Sequence, residues 1–86
     1  MRRYRIFLVI EEYGDEELIK KQFKAVKKKF LTALEPELFS KQIIISKTQE
    51  TLNAIFLSIE EPIDKVIEKF RQMKIVAEID PEYKGK

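Results

Sequence analysis

Eighty-six residues bound the chain to one domain, and an apolar content of 44% suits a compact core rather than a disordered segment. The lack of Cys excludes a disulfide framework, a thiolate metal site and a Cys nucleophile, and the lack of His removes the commonest general base and zinc ligand. Seventeen Lys and Arg against fifteen Asp and Glu leave a formal net charge of +2, compatible with nucleic acid but less basic than a dedicated non-specific binder.

Tyr4 to Ile10 is β-branched and aromatic and predicts a central strand. Its apolar run Ile6-Phe7-Leu8-Val9-Ile10 follows Arg2, Arg3 and Arg5, but it is shorter than the roughly 7–15 residues of a signal h-region or the about 20 of a membrane span. A buried strand and a cytoplasmic protein are therefore expected. Gly14 or Asp15 can cap a helix whose acidic first turn, Glu16-Glu17, suits the positive end of the helix dipole, with Tyr13 and Leu18 placed to form a hydrophobic staple. Ile19, Phe23, Val26, Phe30 and Leu34 make one apolar stripe at helical spacing. Lys20, Lys21, Lys24, Lys27 and Lys28 lie behind it, with Lys27-Lys28-Lys29 read as stabilising the negative helix end. Glu35-Pro36 should stop the helix. Glu37 to Ser40 reads as a connection with a helical turn around Leu38 and Phe39.

Gln42 to Lys47 predicts a second strand, Thr48 to Thr51 a hairpin connection, and Leu52 to Ile59 a third strand. Glu61-Pro62 opens a second helix with Pro62 at its first position and a stripe of Ile63, Val66, Ile67 and Phe70. Ile75 to Ile79 forms the last strand, ended by Asp80-Pro81, and 82–86 is a polar tail. The order β-α-β-β-α-β is that of ferredoxin-like domains. The expected fold is thus α+β, a ferredoxin-like βαββαβ two-layer sandwich over residues 1–81, with both helices on one face of an antiparallel sheet of order 4-1-3-2.

Alternation within the strands divides the sheet into two faces. The fully apolar sets, Tyr4, Ile6, Leu8 and Ile10 with Ile55, Leu57 and Ile59, should face the helices. That choice leaves Phe7, Val9 and Phe56 on the open face, with Arg3 and Arg5 at one end and Ile44 and Val76 joining from the outer strands. Two aromatics on adjacent central strands beside arginines resemble the platform of an RNA-recognition motif, where rings stack on unpaired bases and cations hold phosphate. The aromatic-rich consensus of that motif is absent from Leu52 to Ile59. An apolar open face also suits burial against a second copy or another protein.

Lys27-Lys28-Lys29 fits either phosphate contact or the solvated back of a helix, and Arg2-Arg3-Arg5 fits either phosphate recognition or a charged strand start. Glu11, Glu12, Asp15, Glu16 and Glu17 lack calcium-loop spacing, and with glycine only at 14 and 85 no phosphate-cradling loop exists. No nucleophile–base pair, cofactor site or metal site is identifiable.

Met1-Arg2-Arg3-Tyr4 followed by an apolar strand resembles the start of the bacterial small-subunit ribosomal protein of ferredoxin-like fold, which usually carries Glu where Arg5 stands. Arg3-Tyr4 with its apolar strand, Glu17-Leu18-Ile19 in a helix, the strand–turn–strand from Ile43 to Ile59 and the helix from Ile63 to Met73 resemble the RNA-recognition-like protein subunit of archaeal ribonuclease P. That family's Arg after the paired Ile is replaced here, since Phe56 follows Ile55, and its Ser-Gly-containing C-terminal segment is missing. These resemblances imply association with RNA. The expected function is a non-catalytic binding domain acting through Arg3, Arg5, Phe7, Val9 and Phe56, with Lys27 and Lys28 as further basic contacts, on RNA or a ribonucleoprotein partner. The alternative is a homodimer or protein-interaction module using the same face, including an idealised, engineered domain of this fold.

Overall fold

The computed structural model describes residues 2–11, 14–60 and 64–81. It shows β1 (Arg2–Leu8), α1 (Glu16–Ala33), α2 (Glu35–Phe39), β2 (Ile43–Gln49), β3 (Ala54–Ile59), α3 (Asp64–Gln72) and β4 (Val76–Pro81). The four strands form one antiparallel sheet in the order β2-β3-β1-β4, which is the expected 4-1-3-2. The fold is the ferredoxin-like α+β sandwich, with α2 added in the first crossover.

The core forms between the helices and one face of the sheet. Tyr4, Ile6 and Leu8 of β1 and Ile55, Leu57 and Ile59 of β3 are buried, together with Phe23, Val26 and Phe30 of α1, Leu34 just after it, and Val66 and Phe70 of α3. Phe30 and Phe70 bring the two long helices together, with ring centroids 5.5 Å apart and planes tilted by 32°. Asp15 caps α1 by accepting a hydrogen bond from the Glu17 amide at 2.9 Å. The staple partner Tyr13, and the helix start at Pro62 and Ile63, fall outside the described residues.

Several boundaries differ from the sequence pattern, each for a local reason. β1 begins and ends two residues earlier than expected, because Arg2 and Arg3 pair with Ile59 and Ser58. The first helix ends just before Glu35-Pro36, as expected, but helical structure resumes at once. α1 ends at Ala33, Leu34 turns the chain, and Pro36 falls in the first turn of α2, where its missing N–H is harmless. α2 closes with a paired motif in which the Lys41 amide donates to Leu38 O (3.2 Å) and the Gln42 amide to Glu37 O (2.9 Å). Lys41 therefore takes φ 65°, a position usually held by glycine. The β2–β3 connection lies two residues later than expected: Thr48 and Gln49 continue the ladder, Glu50–Leu52 form a 3-10 turn, and Asn53 reverses the chain at φ 55°. Leu52 thus lies outside β3 and is exposed. Asp80 and Pro81 extend β4 rather than ending it, opposite Arg5 and Tyr4, as an edge strand allows. Lys27, Lys28 and Lys29 do not cap the negative end of α1, since its last turn, Phe30–Ala33, carries no cation.

Two outcomes are expected. Phe30→Ala, which empties the junction between α1 and α3, should lower unfolding free energy by about 3–5 kcal/mol in a urea titration. Lys41→Gly should raise it by up to about 1 kcal/mol, because the left-handed conformation costs a non-glycine residue about 1–2 kcal/mol and glycine's greater unfolded-state freedom returns part of that.

Candidate functional site

The face of the sheet away from the helices carries an ordered array of side chains. Phe7 and Phe56 lie on it, half-buried, as their alternation with Ile6, Leu8, Ile55 and Leu57 requires. Reading across the sheet, one row consists of Lys47, Phe56, Arg5 and Asp80, paired residue to residue on β2, β3, β1 and β4. The next row is Gln49, Ala54, Phe7 and Glu78. Phe7 and Phe56 are therefore diagonal neighbours on the two central strands, a placement that sets side chains about 7–8 Å apart.

Each ring has a cation beside it. The Arg5 guanidinium stands 5.2 Å from the Phe7 centroid and the Lys47 ammonium 5.8 Å from that of Phe56. Arg5 also donates through Nη2 to Asp80 Oδ2, a pair whose side chains are each about one-third exposed (35% and 33%). The charge pattern is lateral: Lys47, Arg5 and exposed Arg3 occupy the β2, β3 and β1 side, and Asp80 and Glu78 line the β4 edge. Arg3 sits opposite Ser58, one row beyond Arg5, and Ile44 adds an exposed apolar side chain at the same end.

Two irregularities decide which residues share this face. The register of β2 against β3 shifts between Ile45 and Lys47. Ser46 is the extra residue, its hydroxyl donating to Phe56 O at 3.2 Å, and the shift rotates Lys47 onto the open face opposite Phe56. Strict alternation puts Lys47 on the helix side, so Lys47 was not among the residues expected at the site, and nothing in Ile43-Ile44-Ile45-Ser46-Lys47 marks the bulge. The second shift, between Phe7 and Leu8 against β4, corrects another expectation. Val76 lies opposite Leu8 and packs against the core, so it is not on the open face.

Val9 follows the end of β1, half-buried, and its amide donates to Ile75 O at 2.9 Å. It borders the array beyond Phe7. Lys27 and Lys28 are not part of it: both belong to α1, on the other side of the sheet, where they line a groove with Lys24, Leu31 and Leu38. Among the described residues no cluster of acidic side chains is placed to hold a metal ion, and no helix is long and apolar enough to cross a membrane. The chain matches no protein-family model, no curated protein and no solved structure.

The Arg5–Asp80 pair, one-third exposed, orients the guanidinium more than it stabilises the fold, since such pairs contribute about 0–1 kcal/mol. Asp80→Asn should therefore change the urea-derived stability by less than about 1 kcal/mol.

Proposed function

We propose that the protein is a non-catalytic domain that binds single-stranded RNA on the open face of its sheet. The observation that carries this reading is the pair of half-buried phenylalanines on adjacent central strands, each with a cation at its ring. A base offers a flat π face that stacks on such a ring without regard to sequence, and its phosphate needs a cation within reach. Phe7 and Phe56 would each take one base, while Lys47, Arg3 and Arg5 lie along the path of the backbone. The acidic β4 edge would repel phosphate and so confine the strand to the β2, β3 and β1 side. The resemblance of the topology and of Arg3-Tyr4 plus its apolar strand to RNA-associated proteins supports the same reading. Cytoplasmic residence, as a subunit of a ribonucleoprotein, forms part of the proposal.

A second reading rests on Ile44, which is 46% exposed at the end of the same face. Together with Phe56 it forms an apolar surface that a protein or a second copy would cover. Titration with a fluorescent single-stranded RNA separates the two. Phe56→Ala should weaken RNA binding by about 1–3 kcal/mol, as expected for one lost stack. Log affinity should fall linearly with log salt, and Lys47→Ala should flatten that slope. An affinity that ignores both salt and Phe56 overturns the RNA reading. Loss of self-association in Phe7→Asp, without any RNA binding by the parent, supports the second.

A further inference from the structure

Among the described residues the exposed large apolar side chains are Leu18, Phe39, Ile44 and Leu52, and Phe39 stands apart at 91%. A phenyl ring left in water forgoes the burial that normally makes aromatic side chains large contributors to core and interface energetics. Its position is held rather than frayed. Leu38, its neighbour, packs against the core, Glu37 of the same helix accepts a 3.1 Å hydrogen bond from Lys69 Nζ on α3, and the paired amide bonds to Leu38 and Glu37 close the helix immediately after it.

Beside this knob runs an open groove of about 390 Å³, with Leu31 and Leu38 supplying its apolar part and Lys24, Lys27, Lys28, Thr32 and Glu35 its polar rim. A second concavity formed by Thr32, Ala33, Glu35 and Pro36 reaches Phe39 itself. The lysines work against α1 as helix residues. Lys20, Lys24 and Lys28 stand one turn apart, a spacing at which like charges weaken a helix, and they lie before the last turn that the dipole would reward. Among the described residues no ion pair engages Lys24, Lys27, Lys28 or Glu35. An apolar groove with a cationic rim calls for an apolar side chain accompanied by a carboxylate, and Phe39 with Glu35 is such a combination on this chain.

Knob and groove share Thr32 and Glu35, so they occupy one continuous surface. A two-fold axis near Thr32 would lay each knob on the other copy's groove, which is the reciprocal arrangement of an isologous contact. We infer that the protein forms a symmetric homodimer through α1 and α2, with Phe39 seated on Leu31 and Leu38 of the second copy and Glu35 facing that copy's Lys24 and Lys28. The interface lies on the helix layer and is independent of the sheet face. With one aromatic knob per copy as its anchor, the dimer is of the weak, concentration-dependent kind.

Sedimentation velocity over protein concentrations from about 10 µM to about 1 mM reads this directly. The full chain should pass from monomer to dimer within that range, and Phe39→Ala should raise the dissociation constant by about tenfold or more. Glu35→Lys and Lys28→Glu should each weaken the dimer, and the double variant should recover it, a rescue that loss of folding would not produce. Phe7→Asp, on the opposite face, should leave the dissociation constant unchanged, and Phe39→Ala should leave RNA titrations unchanged, so the two surfaces stand or fall separately. A single-chain mass at every concentration overturns the inference, as does a Phe39→Ala variant that dimerises as tightly as its parent. Failure of the charge exchange to restore the dimer overturns the Glu35–Lys28 contact.

Discussion

The structure depends on one requirement: a sheet covered by helices on a single side must send its apolar residues to that side at every second position. In β1 and β3 this set is Tyr4, Ile6 and Leu8 with Ile55, Leu57 and Ile59, all nearly or completely shielded from water beneath Phe23, Phe30 and Phe70. Slipping either strand by one residue would bring Arg3 and Arg5, or Ser58, into that layer, and burying an unpaired charge is far costlier than exposing a phenylalanine. The outward placement of Phe7 and Phe56 is therefore a consequence of how the core forms. The surface proposed to bind RNA is the complement of the core, fixed by the same alternation.

This explains what could be read from the residues alone. The order of the elements, the sheet order, the helix stripes and the parity of the central strands all follow from period and composition. Parity failed where the ladder was irregular. The bulge at Ser46 moved Lys47 onto the open face, and the shift against β4 moved Val76 off it. Both occur in edge strands, where one side of the backbone is free and an extra residue costs little pairing. The boundaries failed for similar reasons. The stop of α1 before Pro36 was legible, but not that a new helix begins at Glu35, whose first turn tolerates proline, and Pro81 was read as lying beyond β4 although the end of an edge strand tolerates proline too. Asp80 escaped notice because its role depends on the register that places it opposite Arg5, about a whole chain length away in sequence.

The two layers present different chemistry. On the sheet side, cations stand beside aromatic rings and a lateral charge gradient runs from Lys47 to Asp80 and Glu78. On the helix side, lysines from α1 border an apolar groove next to a projecting ring, and among the described residues the carboxylate on that rim is Glu35. Because the core separates these surfaces, a dimer formed through α1 and α2 would leave both open sheet faces pointing outward, available to one strand or to two.

The most direct test of the account is the solvent exposure of the individual rings in solution, measured by NMR line broadening of the phenylalanine side chains with a soluble paramagnetic agent. The account predicts that Phe7 and Phe56 broaden while Phe23, Phe30 and Phe70 stay sharp. Protection of Phe7 and Phe56 equal to that of the three core rings would contradict it, since the central strands would then face the other way.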